Sequence, residues 1–428
     1  MRHTSITPDL FIKNRKKLQQ QLLPNSLVVF NANDMMPRNT DGTMPFVQNS
    51  DLFYLTGIDQ EETILLLYPD ALKQEWQEIL FIKATDELLA TWEGNKYSKA
   101  EAEAMSGIAT IHFIGEFHKI FQLLMGLTEY VYLNTNEYPR AECIVESRDQ
   151  RFIQWAQKQY PLHGYKRVAP LMQKLRAIKE ETEINLIQQA CNITEAGFRS
   201  ILPIIRPQVM EYEIEAQLAY EFIRRGSNGF AYNPILASGS DSCILHYIKN
   251  NKPCPAGGLL LIDVGAAYGN YGADMTRVVP ISGKFTPRQK QVYHAVLRIV
   301  QLAESILMPG ISFTDYKNAV AVQVEKELLA LKLIDRTDIK NQTKSQPAYR
   351  KYFMHGVSHH LGLSTHDLGD SYGMILSNMV LTVEPGIYIK AEGIGIRLEN
   401  NVVIREHGVE NLMKNIPIDP EEIETLMQ

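Results

Sequence analysis

The chain has 428 residues, a length that suits two or three domains with a sizeable core. With 43 basic and 49 acidic side chains it carries a net charge of −6 and no basic stripe, which argues against a nucleic-acid partner. No apolar run approaches the roughly 20 residues of a membrane span; the amino terminus lacks the apolar core of a secretory signal, and four cysteines (Cys143, Cys191, Cys243, Cys254) without Cys-x-x-Cys spacing suggest neither zinc nor redox chemistry, so a cytoplasmic protein without a membrane partner is expected.

From the amino terminus, Thr7-Pro8 reads as a helix cap and first turn. Helices are expected near 8–23, 98–106 and 148–160. Short buried strands are expected at Leu27–Phe30, Thr63–Leu67, Ile79–Ile82 and Val131–Leu133. Together they describe an N-terminal α/β domain over 1–165. A helical linker at 166–180 leads to a second domain at 181–428. That domain opens on a helix from near Thr182, with Ile184, Ile187, Cys191, Thr194 and Phe198 along one face. Its charged start, Lys179-Glu180-Glu181-Thr182-Glu183, is expected to be solvated. The second domain looks duplicated: Arg206-Pro207 and a helix to Arg225-Gly226 parallel Met308-Pro309-Gly310 and a helix to about Leu333. The polar segment 334–350 reads as a surface insertion.

The chemistry concentrates in the second domain. The segment FMHGVSHHLGLSTHDLG, 353–369, holds four of the eleven histidines. Upstream, Asp263 ends an apolar run and Asp274 begins another, with turn residues between them. A hairpin centred at Tyr268–Gly269 would set the two carboxylates opposite each other. Taken alone, the pair could equally be a turn residue and a solvated one. Glu384 interrupts an apolar strand just before Pro-Gly, and Arg397 and Glu399, two apart, share a strand face. An Arg–Glu ion pair on a wet face would explain the last two, but not Glu384. Two neighbouring buried carboxylates repel unless one is protonated or a cation neutralises them. The four acids with one imidazole, His359, make a ligand set for two divalent ions.

These motifs resemble those of the two-domain metallopeptidases that include aminopeptidase P and prolidase, which share a pita-bread catalytic fold. The matching segments are SGSDSCILHY (238–247), LLLIDVGAAYGNYGADMTR (259–277), FMHGVSHHLGLSTHDLG, LTVEPGIYI (381–389) and GIGIRLENNVVI (393–404). QNSDLFYLTGID (48–59) extends the likeness into the first domain. The resemblance implies an N-terminal α/β domain followed by a duplicated α+β, pita-bread domain. It implies two metal ions, most often manganese, with Asp274 and Glu399 bridging, Asp263 completing one site, and His359 with Glu384 the other.

The implied reaction is hydrolysis of the bond between an N-terminal residue and a following proline. Glu384 would move the proton. His246 and His366 would stabilise the oxyanion or hold the backbone beyond the cut. His355 falls where the family keeps another catalytic or substrate-binding histidine. Tyr388 and Arg397 would orient the carboxylates. His360 has no family role and is expected to point away from the metals. A dipeptide-restricted prolidase and a silent binding protein are the alternatives, the latter disfavoured because all five ligands are present. Relatives form homo-oligomers, so a dimer or tetramer is expected. Trp92 either packs on the surface or, as in some relatives, reaches a neighbour's active site. Asn400-Asn401 depart from the acidic residues that relatives often carry after the ligand Glu399.

Overall fold

The computed structural model describes residues 3–138 and 144–428; Cys143 lies outside them. The chain forms two compact units, Ser5–Leu175 and Arg176–Gln428, with His3 and Thr4 joining the second.

The first unit is a mixed sheet with helices. Its elements run α1 (Pro8–Gln19), β1 (Ser26–Asn31), α2 (Ser50–Thr56), β2 (Ile64–Leu67), β3 (Glu78–Ile82), α3 (Glu87–Glu93), α4 (Lys99–Ser106), β4 (Thr110–Phe113), α5 (Phe117–Met125), β5 (Tyr130–Leu133), α6 (Arg148–Gln159) and β6 (Gly164–Arg167). The strand order is β4-β3-β2-β1-β5-β6, antiparallel across the β1–β2–β3 centre and parallel outside it. Leu27, Val29, Leu66 and Phe81 pack against Phe117 and Phe121 of α5. The Thr7 hydroxyl accepts the Asp9 N–H and Pro8 occupies the first turn, so α1 starts where the Thr-Pro pair directs. Sequence reasoning missed α5, which has no side-chain cap to announce it.

The division falls within α7 (Ala169–Ala177). The second unit continues α8 (Glu181–Ile201), α9 (Glu211–Arg224), β7 (Gly229–Phe230), β8 (Ile235–Ser238), β9 (Leu259–Val264), β10 (Ala266–Tyr268), β11 (Tyr271–Gly272), β12 (Met275–Pro280), α10 (Pro287–Ile306), α11 (Phe313–Ala330), α12 (Arg336–Asn341), β13 (Val380–Val383), β14 (Gly386–Ile389), β15 (Ile394–Arg397), β16 (Asn400–Arg405), β17 (Gly408–Asn411) and α13 (Pro420–Leu426). Each half pairs two helices, α8 with α9 and α10 with α11, ahead of an antiparallel sheet. The sheets run β12-β9-β8 and β13-β16-β17. They meet where the Glu399 N–H donates to the Thr276 carbonyl at 3.0 Å. The duplication therefore includes α10, which the sequence reading passed over although Thr286-Pro287 and Gln289 form its capping box.

One expectation is overturned. The charged start of α8 is not solvated: Lys179 and Glu183 are buried. The Lys179 ammonium lies 3.0 Å from Asp367 Oδ2, and Glu183 accepts the Tyr271 hydroxyl at 2.9 Å. Glu183 in the first turn and Lys179, just before the helix cap, are both buried, while Glu181 between them is exposed. Among the described residues no helix is long and apolar enough to cross a membrane.

Candidate metal centre

Strand ends position the acidic residues. Asp263 lies in β9, Asp274 just before β12, Glu384 just after β13, and Glu399 between β15 and β16. The hairpin register differs from expectation by one residue. Tyr268 pairs with Tyr271 and Asp263 with Thr276, so the turn is Gly269-Asn270. A tight turn of this hand needs positive φ at both central positions, and these two residues have φ of 58° and 66°. Asp274 is consequently diagonal to Asp263, two residues from its cross-strand partner and on the same face.

The Tyr232 hydroxyl spans the diagonal, 2.6 Å from Asp263 Oδ1 and 2.7 Å from Asp274 Oδ1. A hydroxyl has one proton to donate, so the second carboxylate needs a proton or a cation of its own. Segment 357–361 adds a ladder beside β13. The Leu361 N–H donates to Val380, Thr382 to His359, and Glu384 to Val357. The ladder sets His359 beside Glu384, with Nε2 3.5 Å from Glu384 Oε1 and 3.4 Å from Asp274 Oδ2. Donor atoms of Asp274, His359 and Glu399 all lie within 4.8 Å of one another.

Arg397 knits the rest. It pairs with Asp263 Oδ2 and donates to the Tyr388 hydroxyl and Thr276 Oγ1, both at 2.9 Å. The Thr276 hydroxyl in turn donates to Glu399 Oε2 at 2.7 Å. The Tyr388 hydroxyl lies 2.7 Å from His355 Nε2, and His355 Nδ1 is 2.8 Å from the Gly356 carbonyl. The His366 ring lies over His359 with centroids 3.9 Å apart. His246 is exposed, on the segment after β8. Trp92 in α3 lies on the surface, 80% exposed.

Burial and mutual repulsion govern the protons. Burial, then Asp274 and Glu384, raises Glu399 well above the carboxylate range. Burial raises Glu384 to about 7, and raises Asp263 against the pull of Arg397. Burial opposes charge on His359, but its hydrogen bond to Asp274 and the Glu384 carboxylate outweigh it and lift the imidazole to about 9. Burial, then the Arg397 cation, drives His355 down to about 3, so it is neutral. Carboxylates held this close fit a divalent cation, whose charge would let all of them ionise.

Residues 185–406 match metallopeptidase family M24, and residues 11–132 match the aminopeptidase P N-terminal domain. The chain belongs to metallopeptidase family M24. Xaa-Pro aminopeptidases of Haemophilus influenzae and Escherichia coli are each 33% identical to it, over 97% and 99% of this chain and 96% and 98% of theirs. Escherichia coli aminopeptidase P with the inhibitor Pro-Leu superposes with a TM-score of 0.87 at 31% identity, covering 99% of both chains. Proline aminopeptidase P II from Yersinia pestis gives 0.88 at 30% identity, again over 99% of both. The pita-bread catalytic domain behind an N-terminal α/β domain is thus the fold of this M24 chain, and membership makes the centre one for divalent metal.

The side-chain contacts of four residues around this M24 site were not legible in the sequence. Tyr232, Thr276 and Asn401 reach it only through the fold, and Glu211 braces a segment beside it. The Asn401 side chain accepts the Asp274 N–H at 2.9 Å and donates to its carbonyl at 2.6 Å. That pairing needs a donor and an acceptor in one side chain, which an ionised carboxylate lacks. Glu211, fully buried, accepts from Ser238 N and Oγ, the Tyr247 hydroxyl and Lys252 N, and so ties down the segment bearing His246. Its only sequence signal is an acid in the first turn of α9, which is shared by many helices.

Proposed function

We infer that the chain hydrolyses the bond between an N-terminal residue and a following proline in peptides, using two divalent ions, most suitably manganese. The convergence of Asp274, His359 and Glu399 within 4.8 Å supports this most strongly. Asp263, Asp274, His359, Glu384 and Glu399 would hold the two ions, with Asp274 and Glu399 central to both. Four carboxylates then balance two dications. When bound, the ions polarise the scissile carbonyl and acidify a water.

The chain's own groups do the rest. Glu384, beside the centre, is the carboxylate suited to take a proton and to return it to the departing nitrogen. An Xaa-Pro bond is a tertiary amide with no N–H, and its nitrogen must still gain a proton to leave as an amine. His366, over His359, and His246 donate toward the developing oxyanion or the backbone beyond the cut. His355, neutral and fixed by the Tyr388 hydroxyl, contacts substrate. Tyr388 and Arg397 hold the carboxylates in place.

The assembly is a cytoplasmic dimer or tetramer, in which exposed Trp92 meets a neighbouring copy. The discriminating experiment is a substrate-length series in manganese: Xaa-Pro, Xaa-Pro-Xaa-Xaa and Xaa-Ala controls. Cleavage of the longer Xaa-Pro peptides with sparing of Xaa-Ala is expected. Hydrolysis confined to dipeptides would instead make the chain a prolidase.

A further inference from the structure

Asp274 and Glu399 come from opposite halves of the duplicated unit, one immediately before β12 and the other immediately before β16. Each is held by the residue two places beyond the other. The Glu399 N–H donates to the Thr276 carbonyl at 3.0 Å, and the Asp274 N–H donates to Asn401 Oδ1 at 2.9 Å. Each residue's carbonyl is held as well. Asn401 Nδ2 donates to the Asp274 carbonyl at 2.6 Å, and Arg277 Nη1 donates to the Glu399 carbonyl at 2.6 Å. The two clamping side chains are themselves fixed. Asn401 is fully buried, and Cys191 Sγ of α8 donates to its Oδ1 at 3.5 Å. Its Oδ1 therefore faces two donors and its Nδ2 a carbonyl, which settles which way round the amide lies. Arg277, also fully buried, donates to the Thr276 carbonyl at 3.0 Å, the Pro417 carbonyl at 2.8 Å and Asn400 Oδ1 at 2.7 Å. Asn400 is oriented in turn by Glu304 of α10, 2.7 Å from its Nδ2.

Every one of these acceptors of Arg277 is an uncharged oxygen. A buried guanidinium so placed adds little to stability, since apolar side chains of similar volume often do as well. Its rigid fork does hold backbone groups from separate elements in one geometry. An aspartate side chain is short, so the Asp274 carboxylate goes where its backbone goes. Glu399 is longer, but the Thr276 hydroxyl holds its Oε2 at 2.7 Å. We propose that Asn401 and Arg277 are positioning residues that set the separation of Asp274 and Glu399 across the two halves, and through it the pairing of two ions at the centre; this rests on the reading of Asp274 and Glu399 as the carboxylates central to both ions. Loss of such supporting contacts typically weakens metal binding by about 10–100-fold.

The test titrates the full chain with manganese, read by calorimetry and by electron paramagnetic resonance, in which two ions sharing ligands give an exchange-coupled signal. Asn401→Leu removes both bonds to Asp274, and Arg277→Lys keeps the charge while losing the fork. Each should lower manganese affinity about tenfold and alter the coupled signal of the fully loaded protein. Thr286→Ala, which weakens the far end of α10, should leave both readouts as they are. Should either clamp variant not fold, Asn401→Ser carries the same comparison. Wild-type affinity and coupling in a clamp variant overturn the role given to that residue, and changes that Thr286→Ala reproduces overturn the proposal as a whole. If the unsubstituted chain takes up no coupled pair of ions, the reading of Asp274 and Glu399 fails and takes the proposal with it. A coupled pair indifferent to both substitutions sinks the clamp alone.

Discussion

At the scale of single residues, the site is a set of carboxylates that cannot all be charged in each other's company. Glu384 is the most exposed to test. Glu384→Gln keeps the shape and removes the proton carrier, so kcat falls about a hundredfold or more. Full metal binding by mass spectrometry with near-normal turnover would remove Glu384 from the proton path. Tyr232→Phe deletes the hydroxyl shared by Asp263 and Asp274. Metal affinity should weaken about tenfold, as losses of such supporting contacts do. An unchanged titration of manganese would show that the hydroxyl holds nothing. Asp263, Asp274, Glu384 and Glu399 stood out in the sequence because each lies in or at the edge of an apolar run, and His359 because it lies in a histidine cluster resembling the family's. Tyr232 did not: a tyrosine in a loop before β8 breaks no pattern, and only folding brings it to the two aspartates.

At the scale of elements, caps and turns decided what was readable. Thr7-Pro8 announced α1, whereas α5 has no cap and passed unseen. The Gly269-Asn270 turn moved the hairpin register by one residue, because backbone with positive φ tolerates these two and not Tyr268. Helix α10 carries a full capping box and underlies β15 and β17. Thr286→Ala should destabilise the protein by about 1 kcal/mol, read as a lowered melting temperature, while kcat/KM stays the same. A drop in activity without a drop in stability would mean that α10 does more than support the sheet.

At the scale of the whole molecule, the electrostatics predict how stability follows pH when the metal is stripped. His359 sits at about 9 in the folded chain against an ordinary 6.5, so its stabilising charge is complete below 6.5 and is lost as pH rises through 9. Glu384, at about 7 against 4.5, holds its proton in the folded chain, and that contribution is likewise lost as pH rises through 7. Both act in one direction. Chelator-treated protein should therefore melt at a lower temperature near pH 9 than near pH 6.5, and added manganese should raise the melting temperature more at the higher pH. A chelator-treated protein whose melting temperature is flat across that window would mean the carboxylates are not packed as described.

The order of hydrophobic runs and the punctuating glycines and prolines pointed to two domains and a duplicated second half, and the acids set into buried strands, read with the family resemblance, pointed to the residues expected around the metal centre. These are local properties: a charge inside an apolar run is conspicuous wherever the run ends up. Register, the burial of Lys179 and Glu183, and the contacts of Tyr232, Glu211 and Asn401 were decided only by tertiary structure. Each depends on a partner distant along the chain, such as Asp367 for Lys179, and a charged helix start looks the same in sequence whether water or a buried carboxylate meets it.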